Sequence, residues 1–466
     1  MSRDRELAPP EAWGPFVRLA RLAGRPLEQF LHIEAASGIL LLLAAALALG
    51  LANSPWGPSF AAFWQAPLGI DVGGLRFERS LEWVVNDGLM VIFFFVVGME
   101  IRREIHHGEL SEVRRAVLPA AAALGGMLVP AGIYLSTAGG PSTRAGWGVP
   151  MATDIAFAVG ILTILGKRVP AALRVLLLAL AVIDDLGAIV VIAFFYSSGV
   201  AWHGLLIAGA GFLGIVLMTR FGIRERLAYV VPAVVAWAGI YVAGVHPTIA
   251  GVIVGLMTPV RVWYGPGGFL ERVQPELVRI ARHGSDPDAA HEVAASLRRV
   301  AKAGREAMSP AEGLIAALHP WVAFGIMPIF ALCNAGVSLE GGGLAGDPGR
   351  VILAVTLGLV LGKPLGVFLA SWLALRLGVG SLPAGLSLRH LVVLGVVAGV
   401  GFTMALFVAQ LAFREPHLLA GAKLGVLCAS GVAAALSLGL GRLLLKEGQP
   451  KEAAATADEA ERSTEA

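Results

Sequence analysis

Two adjacent aspartates, Asp184 and Asp185, stand in the middle of the apolar run LLLALAVIDDLGAIVVIAFF. A charge at the centre of a bilayer costs about 2.5–3.5 kcal/mol on insertion scales, so acids kept there usually serve a function. Adjacent helical positions lie about 100° apart, so the two carboxyl groups face different surroundings. Like charges this close resist ionising together, and carboxylate oxygens suit hard cations such as Na+ and Li+. The pair predicts a site that holds either cations or protons; a structural ion pair between helices is the alternative.

Three further polar residues interrupt apolar segments. Thr153 and Asp154 end the stretch GVPMATD, and Lys363 lies in LGLVLGKPLGVFL. A helix that breaks inside a membrane exposes two ends, each carrying roughly half a charge, which an acid or a base can balance. We expect Asp154 and Lys363 to do this, with a possible Lys363–Asp184 pair; plain helix packing is the alternative. The Thr153 hydroxyl could contact a cation or only the backbone.

Other ionisable residues within apolar segments are weaker candidates. Glu100 and Glu104 lie one helical turn apart and predict either a negative funnel that gathers cations or a solvated helix end. His246 and His319 belong to a residue type that titrates near neutrality, but a packed or interfacial role is favoured for both. Asp87 completes the group. The two cysteines show no CxxC or CxxH spacing, and no cofactor is expected.

The elements that must position these residues are membrane helices. Of the 466 residues, 56% are hydrophobic and 15% are charged, whereas soluble proteins carry about 25% charged residues. A helix needs about 20 apolar residues to cross a bilayer. The sequence predicts an all-α membrane protein with twelve spans, at 33–53, 84–101, 116–136, 145–165, 171–196, 202–219, 227–239, 241–259, 313–336, 351–375, 390–412 and 420–441.

The distribution of basic residues predicts the orientation. With twelve spans both termini share one side, which then holds 28 of the 36 Lys and Arg residues, while the opposite side holds five. Because basic residues accumulate on the cytoplasmic side, we expect both termini to be cytoplasmic. The N-terminal segment 1–32 is polar and does not resemble a cleavable signal peptide. No nucleic-acid partner is expected.

Two apolar segments contain helix breakers at corresponding places. Segment 148–154 contains a proline and polar residues, and segment 395–403 contains three glycines. Each is the second span of a three-span unit, 116–196 or 351–441, and the two units begin on opposite sides. Such a pair indicates inverted repeats with a transport site near the middle of the membrane.

Three regions are predicted to lie outside the membrane. Residues 66–79 form a small extracytoplasmic β-hairpin, by their alternation around Gly73-Gly74. Residues 261–310 form a charged cytoplasmic insertion with helical stretches such as 291–306, within the twelve-span domain 33–447. The tail 448–466 lacks apolar periodicity and is expected to be disordered.

Taken in order, the motifs resemble the NhaA family of bacterial Na+/H+ antiporters over residues 33 to 440. The most specific are ATDIAFA and IDDLGAI. The others are NDGLMVIFFFVVGMEIRREI, GVHPTIAGVIVGLMTP, LHPWVAFGIMPIFALCNAGVSL, LGKPLG, GFTMALFVAQLAF and AKLGVL.

The resemblance implies a role for each site residue. Asp185 would be the main Na+ ligand, and Asp184 beside it a proton carrier or ligand. Thr153 and Asp154 would supply the broken-helix part of the site. Lys363 would compensate the helix crossing and pair with Asp184.

The resemblance also implies a cytoplasmic funnel and a pH response. Glu100 and Glu104 would line the funnel, and His246 would match a position tied to pH response. The hairpin 66–79 resembles the segment through which family members form homodimers. Some members carry a Glu-His pair before LHPW; here Ile315 and Ala316 stand there, which leaves the pH sensor open.

The function expected from these residues is electrogenic exchange of cytoplasmic Na+, and of Li+, for external H+ by alternating access, for Na+ and pH homeostasis. A membrane-embedded enzyme with two carboxylates is the first alternative, although an aspartyl protease would place its acids on facing helices. A Na+-coupled solute symporter is the second, although it would need a larger polar pocket.

Overall fold

The computed structural model describes residues 34–72, 75–197, 199, 201–223, 225–262, 264–283, 289–338 and 346–445. The predicted N-terminal segment 1–32 and tail 448–466 lie outside the described residues. The described part is helical except for one two-stranded sheet and short connections.

Seventeen helices follow one another along the described chain, besides the short 3-10 segments Glu109–Ser111, Gly166–Arg168 and Arg226–Tyr229. The first six, with the sheet, are α1 (Glu34–Ala52), α2 (Gly57–Gln65), β1 (Pro67–Val72), β2 (Leu75–Ser80), α3 (Leu81–His107), α4 (Val113–Thr137), α5 (Pro141–Met151) and α6 (Ile155–Leu165). The next six are α7 (Ala171–Phe195), α8 (Trp202–Arg220), α9 (Val230–Val242), α10 (Thr248–Met257), α11 (Pro266–His283) and α12 (Ala290–Ala307). The last five are α13 (Pro310–Asn334), α14 (Asp347–Arg376), α15 (Leu388–Ala398), α16 (Phe402–Ala412) and α17 (Pro416–Leu444).

Seven of the described helices are long and apolar enough to cross a membrane, and the number rises to ten if each of three bent helix pairs is one span. The seven are α3, α4, α7, α8, α13, α14 and α17. Two shorter apolar helices lie in the next part of the chain: Arg226–Val242 covers the predicted span 227–239, and Thr248–Met257 occupies only part of the predicted span 241–259. A total of twelve crossings therefore remains a prediction.

Two of the bent pairs are the interrupted segments expected from the sequence. Helices α5 and α6 meet at 46°, and α15 and α16 meet at 48°. Each pair lies between two long helices, α4 and α7 in one case and α14 and α17 in the other. The inverted relation of units 116–196 and 351–441 stays a prediction.

The long helices α4 and α14 approach each other backbone to backbone. A Cβ atom added to Gly125 would lie 2.2 Å from the Gly366 carbonyl oxygen, and one added to Gly366 would lie 2.1 Å from that of Gly125. Only glycine permits such a distance, which is how small residues bring membrane helices together. This contact holds α14, and with it Lys363, close to the broken helices.

Two regions extend from the helical body. Strands β1 and β2 pair antiparallel, with a register from Pro67↔Ser80 to Val72↔Leu75, in the region where a hairpin was predicted. Helix α2 turns back by 114° from α1 beside these strands. At another place, the predicted insertion 261–310 forms the two helices α11 and α12.

Candidate functional site

The two broken helices, α5–α6 and α15–α16, meet at their breaks, and this meeting point is called the crossing below. The backbone N–H of Asp154 donates to the Val400 carbonyl at 2.8 Å. The Thr153 hydroxyl lies 3.0 Å from the Ala398 carbonyl oxygen and 2.7 Å from Asp184 Oδ2. Residues 152–154 and 399–401 are not helical. Inside a membrane, the polar groups of such segments need partners within the protein, and the hydrogen bonds between the two breaks supply some of them.

Asp154 joins the amino ends of two half-helices. It is the N-cap of α6, where its Oδ1 accepts from the Phe157 N–H at 3.0 Å. Its Oδ2 accepts from the Thr403 N–H at 3.1 Å, at the start of α16, and from the Thr403 hydroxyl. Each helix N-terminus carries roughly half a positive charge. Together the two ends offset one carboxylate.

Lys363 occupies the opposite electrostatic position. Its side chain is 0% exposed, and Nζ donates to the carbonyl of Met151, the last residue of α5. Nζ also donates to Asp184 Oδ2 at 2.6 Å, which makes a buried ion pair. A lysine here balances both the negative end of α5 and the carboxylate of Asp184.

Asp184 and Asp185 lie midway along α7, and each is 1% exposed. Asp184 uses only Oδ2 for its contacts with Lys363 and Thr153. Among the described residues, Asp184 Oδ1 and both oxygens of Asp185 have no hydrogen-bond partner. Asp185 interacts electrostatically with Asp184, Glu100 and Asp154, all acids, and with Lys363.

A charge count at the crossing isolates Asp185. The two helix amino ends offset Asp154, and Lys363 offsets Asp184. Asp185 has no such compensation from the described residues. Because a buried unpaired charge is costly, this carboxylate must take up a proton or a cation. The three unbonded carboxylate oxygens are of the type that Na+ and Li+ prefer.

The acids on α3 lie at different levels. Glu100 is close enough to interact with Asp185. Glu104, one turn further, accepts a hydrogen bond from the Glu109 N–H at 2.7 Å, which ties it to the turn after α3. Glu100 therefore interacts electrostatically with Asp185 at the crossing, whereas Glu104 stabilises the end of its helix.

His246 lies at the other end of α3. Its Nε2 is 3.4 Å from Asp87 Oδ1, its Nδ1 is 2.7 Å from the Thr248 hydroxyl, and its ring stands edge-on to Phe407 at 5.4 Å. Seventeen residues separate Asp87 from Glu104 on α3, or about 25 Å at 1.5 Å per residue. The structure thus brings His246 to Asp87 and not to Glu100 and Glu104.

The residues at the predicted mouth differ in burial. His319 is exposed on α13 and interacts electrostatically with Arg103. Ile315 is buried and Ala316 is exposed.

Thr403 is a site residue that the sequence analysis did not single out. Both its N–H and its hydroxyl contact Asp154. The available signal was a hydroxyl residue two positions after Gly401, at the point where a helix restarts.

The match to known proteins covers nearly the whole chain. The family model described as Na+/H+ antiporter 1 matches residues 28–440. A Na(+)/H(+) antiporter NhaA 2 from Myxococcus xanthus is 68% identical over 456 residues, covering 98% of this chain and 97% of the relative. A protein of the same name from Sorangium cellulosum is 54% identical over 464 residues, covering 99% of both.

A solved structure, that of a sodium proton antiporter from Methanocaldococcus jannaschii, aligns over 93% of this chain and 98% of its own, with a TM-score of 0.44 and 16% identity. The family match, together with the seven or more apolar helices, makes this chain a multi-pass membrane protein. The chain belongs to the Na+/H+ antiporter 1 family, the NhaA proteins, which are transporters and not enzymes.

Proposed function

We propose that this protein exchanges cytoplasmic Na+ for external H+ at the carboxyl groups of Asp184 and Asp185. The observation that carries the proposal is the isolation of Asp185: it is 1% exposed, and neither oxygen has a hydrogen-bond partner among the described residues. The identity to proteins named Na(+)/H(+) antiporters supports the choice of ions.

The exchange follows from competition for the same oxygens. When Asp185 loses its proton, its two oxygens and the free Oδ1 of Asp184 present negative charge to a dehydrated Na+. Lys363 keeps Asp184 Oδ2 occupied, so a cation approaches from the Asp185 side. On the opposite face of the membrane, protonation of the carboxylates removes the charge that holds Na+, and the cation leaves.

The part of the protein that moves during alternating access is the crossing. The two breaks contact each other through a few hydrogen bonds, such as those from Asp154 to Val400 and from Thr153 to Ala398. The Thr153 hydroxyl has one proton and two acceptors, so it can donate to ionised Asp184 or, once Asp184 is protonated, to Ala398. Loading of the site thereby changes the bonding between the broken helices.

The finer features of the proposal come from the residue pattern. We propose that Li+ is also carried and that more proton charge than Na+ charge moves per cycle. The membrane potential then drives exchange with about 2.3 kcal/mol per net charge per 100 mV. The same proposal includes residence in the inner membrane with cytoplasmic termini and dimer formation through 66–79. It also includes funnelling of cations by Glu100 and Glu104, a pH response at His246 and a role in Na+ and pH homeostasis.

The test is the collapse of a respiration-generated pH gradient in everted vesicles from a host without its own antiporters. Addition of Na+ or Li+, but not K+, should dissipate the gradient with the wild type and not with Asp185→Asn. A gradient that stays intact in the wild type between pH 6.5 and 9, with folded protein present, would reject the proposal. Dissipation that requires an added organic solute would indicate a symporter instead.

A further inference from the structure

A second polar cluster lies far from the crossing, at the end of the molecule where α3 begins. It borders an open cavity of about 680 Å³ beside the turn between α1 and α2. Among the side chains that line the cavity are Asn53, Gln65, Glu82 and Lys423. The proposed orientation places this end on the extracytoplasmic side.

Glu82 is held by two neutral amides. Its Oε1 accepts from Gln410 Nε2 at 2.7 Å, and its Oε2 accepts from Gln65 Nε2 at 2.5 Å. No Lys, Arg or His nitrogen of the described residues lies within the 4.0 Å of an ion pair with it. Lys423 interacts electrostatically with Glu82 from beyond that distance and offsets only part of its charge. The amides orient the carboxylate without neutralising it, so Glu82 keeps the capacity to bind a cation.

Gln410 supplies a second oxygen. Its NH2 group donates a hydrogen bond to Glu82, and its Oε1 is buried without a hydrogen-bond partner among the described residues. A buried acceptor without a donor is unfavourable unless a ligand satisfies it. One carboxylate and one amide carbonyl side by side are oxygen ligands suited to a hard monovalent cation.

The cluster is separate from the crossing but shares its helices. On α16, Gln410 follows Thr403 by seven residues, or about 10 Å at 1.5 Å per residue. Between these two levels lies a buried aromatic contact, Phe407 against Phe94 of α3, with ring centroids 5.2 Å apart. A cation at Glu82 would thus be separated from the level of Thr403 by this aromatic contact.

We propose that Glu82 and the side-chain carbonyl of Gln410 form a second, weaker cation site, which Na+ occupies after it leaves Asp185. Lys423 lines the same cavity and interacts electrostatically with Glu82. Its charge repels a bound cation, so occupancy is brief and the ion passes to the exterior. This inference rests on the proposed function and adds a step to it.

The experiment compares the apparent KM for Na+ on the two membrane faces, in everted and right-side-out vesicles, for Glu82→Gln and wild type. Glu82→Gln keeps the size and hydrogen-bonding capacity of the side chain and removes its charge. We expect the KM at the cavity face to rise about tenfold and the KM at the other face to stay unchanged. Asp347→Asn is the matched control, because Asp347 is an exposed acid paired with Arg350 at 3.8 Å, and it should shift neither value.

Two results would overturn the second site: equal KM values for Glu82→Gln and wild type on both faces, or an equal shift on both, as a purely structural defect would give. Absence of exchange in the wild type would instead reject the proposed function. Equilibrium binding of radioactive Na+ to purified Asp185→Asn protein tests the site without transport. Weak binding that disappears on adding Glu82→Gln supports it, and no binding by Asp185→Asn alone rejects it.

Discussion

Two buried carboxylates in this molecule have opposite surroundings. Glu276, 8% exposed between α11 and α12, accepts from Arg279 at 3.1 Å and from Arg299 at 2.9 Å through Oε1. Asp185, 1% exposed on α7, has neither arginine nor hydrogen-bond donor among the described residues. Among the described residues, the carboxylate of Glu276 therefore has two positive partners at Oε1 and none at Oε2, whereas that of Asp185 has no hydrogen-bond partner at either oxygen.

The two carboxylates differ in what their charge does to the stability of the fold. A carboxylate that contacts two guanidinium groups has its charge satisfied, and it holds two helices together. A carboxylate without partners destabilises the folded state while it is charged. At the crossing, the charges of Asp154 and Asp184 are compensated and that of Asp185 is not, so the boundary runs between adjacent residues of one helix.

The largest expected effect is that of Asp185→Asn on Na+ binding. The amide removes the uncompensated charge, so exchange should be lost while the melting temperature of the purified protein stays equal or rises. Na+ at 100 times the wild-type Kd should stabilise the wild type by about 2.7 kcal/mol, and the variant by much less, because only the weaker site at Glu82 would remain. Thermal unfolding with and without Na+, with choline as the control cation, measures this. A variant that melts well below the wild type would show that Asp185 is structural.

Lys363→Met should have the largest effect on stability. It leaves Asp184 Oδ2 and the Met151 carbonyl without their donor inside the crossing. Loss of one partner of a buried ion pair costs about 3–5 kcal/mol. Thermal unfolding of Lys363→Met beside the double variant Lys363→Met/Asp184→Leu checks the cause. The double variant should recover stability, and failure to do so would argue against the pair as the source.

Thr403→Val should have an intermediate effect. The valine keeps the shape and the backbone N–H but removes the hydroxyl that donates to Asp154. A hydrogen bond to a charged group contributes about 1.5–3 kcal/mol, so the melting temperature should fall while exchange persists. Thr356→Val is the matched control, because its hydroxyl reaches the Gly425 carbonyl only at 3.4 Å. Equal losses in both variants would contradict the role given to Thr403.

Glu276→Gln should have the smallest effect on transport. The Ser296 hydroxyl, followed by Arg299 and Arg279, holds the pKa of Glu276 below its ordinary value of 4.5. Because the folded-state pKa is lowered, the stabilisation is present above pH 4.5 and is lost as pH falls through the folded value. Amide hydrogen exchange in α11 and α12 should be faster in the variant at pH 7, with Na+/H+ exchange unchanged. A transport defect as large as that of Asp185→Asn would remove the contrast between the two carboxylates.

Local sequence was sufficient for most of the long helices, for the two breaks and for most polar residues of the candidate site, while the total of twelve spans stays a prediction. Apolar runs of about 20 residues identify membrane helices by themselves, and the predicted interruptions at 148–154 and 395–403 coincide with the two bent pairs. Asp154, Asp184, Asp185 and Lys363 were apparent because charge inside an apolar run is rare for an energetic reason that needs no partner.

Only the tertiary structure decided which of these charges has a partner. Lys363 contacts Asp184 across 179 positions in the chain, and Thr403 contacts Asp154 across 249. Adjacent residues of one helix point about 100° apart, so whether Asp184 or Asp185 met the lysine depended on how α7 packs beside α14. The pairing of Asp87 with His246 likewise required α10 to lie against α3. The sequence by itself determined which ionisable residues lie inside apolar helices. The packing of distant helices determined that Asp185 is the one left uncompensated among the described residues, because pairing depends on distance in space and not along the chain.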